Sequence, residues 1–249
     1  MRRFFFLEPP PDPEARRWPA PPDLLRHLRA LRIGPAEEFL LLAPGAAAAR
    51  PAHWSGGREL ELGPEVPMSA PAFRPVLLAT AWPKGARADQ LVVRAAETAV
   101  ERILPLRCAR SVAGREPLRP ARLARWRRLA WEACQQCRNP RPPVLEAEPL
   151  PLAEAVATAA GRRCFLLDPA GPPLLDLLAD TNAEPVALFC GPEGGFAPAE
   201  REEAASLGLE PAGLGPTLLR IEAAGPLAAA LCQHRVAAAH NQPCSRKET

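Results

Sequence analysis

A glycine-rich loop, Gly191-Pro192-Glu193-Gly194-Gly195, stands between an apolar run and a charged segment that is expected to be helical. Glycine lets the backbone take a positive φ and approach a ligand closely, and loop amides can face an anion or the edge of an adenine ring. The spacing matches neither the dinucleotide-binding G-x-G-x-x-G pattern nor a P-loop, because no Gly-Lys-Ser/Thr follows. Taken alone, this loop is either a tight turn or a ligand site.

A second glycine loop repeats the arrangement, because Leu214-Gly215-Pro216 again joins the end of a predicted strand to the start of a helix. Ligands of α/β proteins bind beyond the carboxyl ends of the strands, so two such loops can form two walls of one pocket. The side chains of Leu214, Leu218 and Leu219 suit a flat, weakly charged ring. We therefore expect a cofactor pocket built from both loops.

The positive and negative charges of the chain nearly balance. The formal net charge is only +3, which does not by itself indicate a nucleic-acid-binding protein. Of the 31 basic residues only Lys84 and Lys247 are lysines, and the rest are arginines, which contact phosphates in a bidentate manner. A coding bias that favours Arg, Ala and Pro together is the simpler explanation, and the 33 prolines agree with it.

The elements that would position these loops begin after an N-terminal region of different character. That region holds short apolar runs separated by turn-forming residues, which is typical of a small β-barrel or sandwich. The predicted strands are Arg3–Leu7, Phe39–Ala43 and Glu59–Leu62. A short helix is expected over Asp23–Leu31 with Asp23 as its N-cap, and the proline-rich stretch Pro64–Pro75 is the expected linker.

Beyond the linker, apolar runs alternate with helical segments, which indicates a mostly parallel α/β sheet. The predicted strands are Val76–Ala81, Arg102–Leu106, Cys164–Leu167, Val186–Cys190 and one that ends at Gly213–Leu214. The predicted helices are Asp89–Val100, Arg119–Cys137, Ala199–Leu207 and approximately Glu222–Ala239.

Seven cysteines are an odd number and do not suggest a disulfide framework. Cys134 and Cys137 form a CxxC, but both fall on the apolar stripe predicted for the helix Arg119–Cys137, so core thiols are favoured over a metal or redox site. Cys190 follows an apolar strand and is expected to be buried and inert. Neither a membrane span nor a signal peptide is recognisable, so we expect a cytoplasmic protein. The four histidines show no metal-ligand spacing, so no bound metal is expected.

Several motifs together resemble one family. The segments GPEGGF and LGPTLLRIEAA are similar to those of the RsmE-type 16S rRNA (uracil-N3)-methyltransferases of the SPOUT class. Shorter matches are spread over nearly the whole chain: His27 to Arg32, Lys84-Gly85 with Glu97, Arg110-Ser111, and Arg125-Trp126 leading to Arg138 and Pro143. The usual RTETA run of this family reads Arg220-Ile221-Glu222-Ala223-Ala224 here, so both threonine hydroxyls are missing.

The resemblance implies a PUA-like, RNA-binding β-barrel over residues 1–66 and a SPOUT methyltransferase domain with a C-terminal trefoil knot over residues 67–249. It also implies a homodimer that binds S-adenosylmethionine and acts on 16S rRNA or the small ribosomal subunit. The implied cofactor-binding residues are Leu167, Leu188, Gly191, Pro192, Glu193, Gly194, Leu214, Gly215, Leu218, Leu219 and Arg220. The implied RNA-binding residues are Arg3, Arg29, Arg32, Arg110, Arg125 and Arg138, although exposed arginines are often only a solvated surface.

Methylation of uracil N3 requires loss of the N3 proton, after which negative charge spreads onto the carbonyl oxygens. A base and a cation would assist this step. Glu222 is expected to act as the base or an orienting group, and Arg220 as the cation, although Glu222 could instead stabilise a helix N-terminus. Glu193 either contacts the methionine amine or caps the following helix. Two other functions stay open: a ribose 2′-O-methyltransferase, and an RNA-binding assembly factor without catalysis.

Overall fold

A computed structural model describes residues 3–68, 73–178 and 184–240 of the chain, and the side chains only as far as residue 234. The chain forms two compact units. The first comprises Met1–Pro71 together with Cys134–Arg141, and the second comprises Ala72–Ala133 together with Pro142–Thr249. No helix within the described ranges is long and apolar enough to span a membrane.

The first unit is built on a mixed sheet. Its strands are β1 (Phe4–Phe6), β2 (Arg17–Pro19), β3 (Phe39–Leu42), β4 (Ala48–His53), β5 (Glu59–Leu62) and β6 (Val66–Pro67). The strands pair in the order β1-β3-β4-β5-β2, and β6 pairs with β4. Only β1 and β3 run parallel; the other pairs of this sheet are antiparallel.

Alternating residues of these strands form the core of the first unit. Phe5 and Phe39 meet edge to face, with ring centroids 5.3 Å apart. Helix α1 (Pro22–Ala30) adds Leu24, Leu25 and Leu28 to the same cluster. The i, i+4 spacing of Leu24 and Leu28 places both on one face of the helix, which explains why this short segment is helical here.

The prediction that Asp23 caps this helix is wrong. Pro21 occupies the N-cap position, and no side chain makes a capping hydrogen bond. Pro22 lies in the first turn, where its missing N–H costs nothing. Asp23 therefore lies inside the helix, where its carboxylate accepts a hydrogen bond from Arg26 at 2.7 Å.

The second unit contains a parallel sheet of six strands. They are β7 (Val76–Thr80), β8 (Arg102–Pro105), β9 (Val144–Leu145), β10 (Arg163–Leu167), β11 (Val186–Cys190) and β12 (Glu210–Ala212). Their order is β12-β10-β11-β7-β8-β9, and every pairing is parallel. The expectation of a mostly parallel α/β sheet is confirmed. β7 and β11 lie at its centre and are buried along their whole length, as continuous apolar runs predict.

The remaining helices are α2 (Ala86–Glu97), α3 (Pro120–Cys137), α4 (Leu152–Thr158), α5 (Leu174–Leu177), α6 (Pro198–Ser206) and α7 (Ile221–His240). They belong to the second unit, except for the residues of α3 from Cys134 onward, which are grouped with the first. α6 begins at Pro198, and Gly208 follows it with a φ of 81°, so the predicted stop at this glycine agrees with the structure. The predicted linker contains the short strand β6, and residues 69–72 of it lie outside the described residues.

The apolar stripe of α3 is buried in its middle. Trp126, Ala130, Ala133 and Cys134 are buried, as predicted. Cys137, by contrast, is exposed, so the prediction of two core thiols is wrong for this residue. Cys137 is the last residue of the helix, where the buried apolar stripe ends. Its thiol donates to the carbonyl of Cys134, with a sulfur–oxygen distance of 3.7 Å.

The last helix contains a proline after its first turn. Pro226 has no N–H and cannot donate to the carbonyl of Glu222, four residues earlier. The Arg94 guanidinium of α2 lies 3.4 Å from that carbonyl oxygen and donates to it instead. A side chain of the neighbouring helix thus donates to the carbonyl that would otherwise accept from the backbone amide of residue 226.

Two segments of the second unit cross at very close distance. The Asp168 amide donates to Ala212, the Gly213 amide donates to Pro172, and the Leu174 amide donates to Gly213. A Cβ atom on Gly171 would lie 2.6 Å from the Ala212 nitrogen, and one on Gly213 would lie 2.6 Å from the Gly171 oxygen. Only glycine fits at these positions, because any side chain would overlap backbone atoms.

Candidate functional site

Three neighbouring parallel strands, β10, β11 and β12, end at the same edge of the sheet. The segments that follow them enclose a cavity of about 480 Å³. This volume lies in the range of small-molecule sites, about 300–1,000 Å³. The cavity is the structural counterpart of the cofactor pocket expected from the sequence.

The structure brings most of the expected cofactor-binding residues to this cavity. Its lining includes Leu167, Gly191, Pro192, Glu193, Gly194, Leu214, Gly215, Leu218, Leu219 and Arg220. Two of the expected site residues are not among the lining residues. Leu188 is fully buried in the middle of β11, and Glu222 is buried in the first turn of α7.

The first glycine loop is both a tight turn and a wall of the cavity. The Gly195 amide donates to the Pro192 carbonyl at 2.8 Å, and Gly195 has a φ of 68°, which favours glycine. A Cβ on Gly191 would lie 3.0 Å from the ring of Phe196. The two interpretations left open by the sequence therefore do not exclude each other.

Side chains from other elements hold this loop. Arg87 of α2 lies 3.1 Å from the Glu193 carboxylate, and Arg110 donates to the Gly194 carbonyl at 2.8 Å. Capping of the following helix, one of the two roles expected of Glu193, is not observed among the described residues. Glu200 of α6 instead accepts a hydrogen bond from the amide of Ala197, the N-cap residue, at 2.7 Å.

An ion pair that the sequence analysis missed contributes to the same cavity. Asp168 follows β10 directly, its side chain is only 12% exposed, and Arg201 of α6 binds it at 2.9 Å. Both residues line the cavity. The signal that could have indicated Asp168 was its place at the carboxyl end of a predicted strand, the same argument that indicated the glycine loops.

The second glycine loop supplies an apolar wall. Gly215 has a φ of 119°, a conformation that L-residues rarely adopt. Leu218 is 83% exposed and Leu219 is partly exposed beside the cavity. Ile221 and Ala224 of α7 also line it, so the segment that lacks the threonine hydroxyls offers methyl groups instead.

Arg220 and Glu222 have different environments. Arg220 is exposed at the cavity, immediately before α7. Glu222 is 4% exposed, and its Oε2 atom has no hydrogen-bond partner among the described residues. A buried carboxylate oxygen without a partner is costly, by about 1–3 kcal/mol or more for a charged group. Such a group is a candidate for proton transfer or for binding a donor.

Cys190 also lines the cavity, but as a neutral thiol. Burial raises its pKa to about 12. At neutral pH it therefore carries no thiolate and is a poor nucleophile, in agreement with the expectation that it is inert.

The six arginines expected to bind RNA are divided between the units. In the first unit, Arg3 lies 3.6 Å from Glu37, Arg29 lies over the Trp54 ring at 5.8 Å, and Arg32 and Arg138 are exposed. In the second unit, Arg110 is bound to the glycine loop, and Arg125 makes two hydrogen bonds to Asp89 at 2.6 and 2.7 Å. The guanidinium groups of Arg110 and Arg125 thus already donate to acceptors within the protein.

A family model described as "RNA methyltransferase domain" matches residues 70–233 of the chain. The chain is 32% identical over 166 residues to Ribosomal RNA small subunit methyltransferase E of Mycobacterium bovis. That alignment covers 64% of this chain and 63% of the relative, so it spans less than two thirds of the relative's length.

Solved structures show the same fold. One is Ribosomal RNA small subunit methyltransferase E of Neisseria gonorrhoeae bound to S-adenosyl methionine, with a TM-score of 0.73 and 25% identity, covering 92% of this chain and 95% of that one. Another is a methyltransferase of Legionella pneumophila in complex with SAM, with a TM-score of 0.73 and 24% identity, covering 94% and 96%.

Proposed function

Because the chain belongs to the family defined by the RNA methyltransferase domain, we propose that it transfers a methyl group from S-adenosylmethionine to N3 of a uridine in small-subunit (16S) ribosomal RNA. The observation that carries the proposal is the cavity at the ends of β10, β11 and β12, whose walls are the two glycine loops. The relative from Neisseria gonorrhoeae, bound to S-adenosyl methionine, supports the choice of cofactor.

The residues of the cavity suit this cofactor. Leu214, Leu218 and Leu219 offer apolar contacts to an adenine ring, and the glycine loops bring backbone groups close to its edge. The carboxylates of Asp168 and Glu193 could accept hydrogen bonds from the methionine amine or the ribose hydroxyls. The Arg87 and Arg201 ion pairs hold both carboxylates in place.

S-adenosylmethionine supplies, when bound, a methyl group on a sulfonium that an aligned nucleophile can take. The protein contributes alignment and exclusion of water, which together can lower the barrier by several kcal/mol. Arg220 at the cavity is suited to stabilise the negative charge of the uracil carbonyls once N3 has lost its proton. Glu222 is the candidate for taking that proton or for orienting the group that does so, and it is buried next to Ile221, a residue of the cavity wall. The cofactor, when bound, would supply the methyl carbon for the bond to N3 and would leave as a thioether once its carbon–sulfur bond breaks.

The finer features of the fold belong to the same proposal. The close crossing at Gly171 and Gly213 supports a C-terminal trefoil knot within residues 67–249. The mixed sheet of the first unit supports a PUA-like β-barrel over residues 1–66 that binds RNA. The exposed leucines Leu218 and Leu219 at the cavity, and the exposed Leu227 of α7, support a homodimer.

Two measurements test the proposal. Isothermal titration calorimetry of the purified protein should show binding of S-adenosylmethionine, and absence of binding would contradict an enzyme and favour an assembly factor. Mass spectrometry of small-subunit rRNA from a strain that lacks this protein should show loss of 3-methyluridine, restored by the wild-type gene. Loss of a 2′-O-methylated nucleoside instead would indicate the ribose-methylating alternative, and an unchanged profile would contradict both.

A further inference from the structure

A second, smaller cavity of about 200 Å³ lies at the N-terminal end of α2 in the second unit. Its lining includes Trp82, Lys84, Gly85, Gly114, Arg122 and Trp126. We call this set of residues the α2 pocket. It shares no lining residue with the cavity between the glycine loops.

The α2 pocket contains a buried donor that nothing in the described structure uses. Trp82 is 4% exposed, and its indole Nε1 has no hydrogen-bond partner among the described residues. A Cβ on Gly114 would lie 2.7 Å from Cδ1, the carbon bonded to Nε1, so this edge of the indole packs against Gly114, another residue that lines the pocket. A buried N–H without an acceptor costs about 1–3 kcal/mol, which a bound acceptor would remove.

The start of α2 adds further donors. Gly85 is the N-cap with a φ of 64°, and no side chain caps the helix. The first amides of a helix lack acceptors within it, and together with the helix dipole they favour an anion. The glycine at the N-cap also leaves room for a ligand, since no heavy atom lies within 4 Å of the place that its Cβ would take. This is the arrangement by which helix N-termini bind phosphate.

Two cationic side chains complete the pocket. Lys84 is exposed next to the helix start, and Arg122 of α3 lies with its guanidinium carbon 5.6 Å from the centre of the Trp126 ring. The nearby carboxylate of Asp89 does not compete for a ligand's place, because it is held by Arg125 and by the Trp126 indole at 2.8 Å. The pocket therefore presents hydrogen-bond donors and positive charge, which select an oxyanion.

We propose that the α2 pocket binds a phosphodiester group of the RNA strand that is methylated. The inference rests on the proposed function for the identity of the polymer. The pocket is connected to the cofactor cavity through Arg87, which lies in the first turn of α2 and binds Glu193 of the glycine loop. A phosphate held at Lys84 and the α2 amides would fix the strand beside that cavity, and base recognition would take place elsewhere.

The test compares single-charge variants on exposed positions. Binding of fluorescein-labelled single-stranded oligouridine is measured by anisotropy over a series of NaCl concentrations for the wild type, Lys84→Gln, Arg122→Gln and Arg127→Gln. Arg127 is the matched control, because it is exposed on the same helix as Arg122 but does not line the α2 pocket. Trp82→Phe, which keeps a ring and removes the N–H, is measured with them.

Loss of one phosphate contact should make the plot of log K against log salt shallower by about 0.7 for single-stranded RNA. Lys84→Gln and Arg122→Gln should show this change and bind roughly tenfold more weakly at low salt. Trp82→Phe should weaken binding by about threefold with an unchanged slope. Arg127→Gln should bind more tightly than either pocket variant and keep the wild-type slope.

Equal slopes and affinities for Lys84→Gln, Arg122→Gln and Arg127→Gln would overturn the inference. A second outcome would also overturn it: the wild type and Lys84→Gln bind oligouridine equally, but inorganic phosphate raises the melting temperature of the wild type alone. The α2 pocket would then bind free phosphate and not RNA. Calorimetry with S-adenosylmethionine on the same proteins separates the two proposals. Absence of cofactor binding contradicts the proposed function, whereas equal salt slopes in a protein that binds the cofactor contradict only the phosphate site.

Discussion

Glu222 is a buried carboxylate with an oxygen atom that no described residue binds. If it accepts the uracil N3 proton, Glu222→Gln should lower the rate of methyl transfer by a factor of about 10²–10⁴, the usual contribution of a general base. Binding of S-adenosylmethionine should change little, because Glu222 does not line the cofactor cavity. Single-turnover transfer to small-subunit RNA, together with calorimetry, measures both effects.

The stability of the variant provides the control for this prediction. Glutamine has almost the same shape and removes a charge from a buried place, so the melting temperature of Glu222→Gln should equal or exceed that of the wild type. Transfer at the wild-type rate would show that Glu222 is not the base. A lower rate accompanied by a lower melting temperature would assign Glu222 a structural role instead.

Asp89 is the acceptor for two neighbours at once. It binds the Arg125 guanidinium through both oxygens and the buried Trp126 indole through one. Asp89→Ala leaves that indole N–H without an acceptor, and we expect the free energy of unfolding at pH 7 to fall by about 2 kcal/mol. The matched control is Asp23→Ala, which removes an exposed Asp–Arg pair and should change stability by less than about 0.5 kcal/mol.

The contribution of Asp89 to the free energy of unfolding should depend on pH. Its pKa lies below the ordinary value, chiefly because of the hydrogen bond from Arg125. A carboxylate with a depressed pKa stabilises the fold above its unfolded pKa, about 3.9, and this contribution is lost as the pH falls through the folded pKa. Urea unfolding at several pH values should therefore show the difference between wild type and Asp89→Ala shrinking below about pH 4. A difference that stays constant down to acid pH would contradict this origin.

At the scale of elements, the sequence predicted those that are long or continuously apolar. β7 and β11 appear as unbroken apolar runs because they are buried on both faces. β4 was missed because half of its six residues are alanine and because it contains Pro51, which nonetheless pairs with Leu40 in the sheet. α4 was missed because it has only 7 residues, fewer than two full turns of a helical pattern.

The crossing of the segments around Gly171 and Gly213 is an element-scale feature with a clear test. Gly213→Ala would place a Cβ 2.6 Å from a backbone oxygen, which cannot turn aside as a side chain can. We expect a loss of about 3 kcal/mol in stability. Cofactor binding should also weaken, because Ala212 and Leu214, on either side, line the cavity.

Gly34→Ala is the matched control for this substitution, since nothing lies within 4 Å of its Cβ position. It should melt within a few degrees of the wild type, as surface substitutions that change stability by less than about 0.5 kcal/mol do. Chemical denaturation of both variants measures the difference. A Gly213→Ala protein as stable as Gly34→Ala would show that the crossing is looser than these distances indicate.

For the molecule as a whole, the sequence predicted the two glycine loops and the alternation of strands and helices. It predicted neither the order of the strands in the sheet nor the polar side chains that contact one another at the pocket. Spacing along the chain shows that Gly191 and Gly215 each follow a strand. It does not show that Arg87 reaches Glu193 or that Arg201 reaches Asp168, because these pairs depend on how helices pack over the sheet. Long-range pairs of this kind carry no local pattern that a sequence window can detect.

The surface of the second unit carries an apolar stripe, which the proposed homodimer would bury. Leu227 of α7 is 40% exposed, and Ala223, Ala230 and Leu231, at helical spacing from it, are partly exposed. Because such stripes mark interfaces, the wild type should sediment as a dimer of the 26.8 kDa chain in analytical ultracentrifugation.

A variant of this stripe tests the proposed interface. Leu227→Glu should sediment as a monomer, since a charge would lie in the apolar contact. The control is Leu207→Glu, at the similarly exposed C-cap of α6, and this variant should remain a dimer. A monomeric wild type, or equal dissociation of both variants, would contradict the homodimer and leave the stripe to another partner.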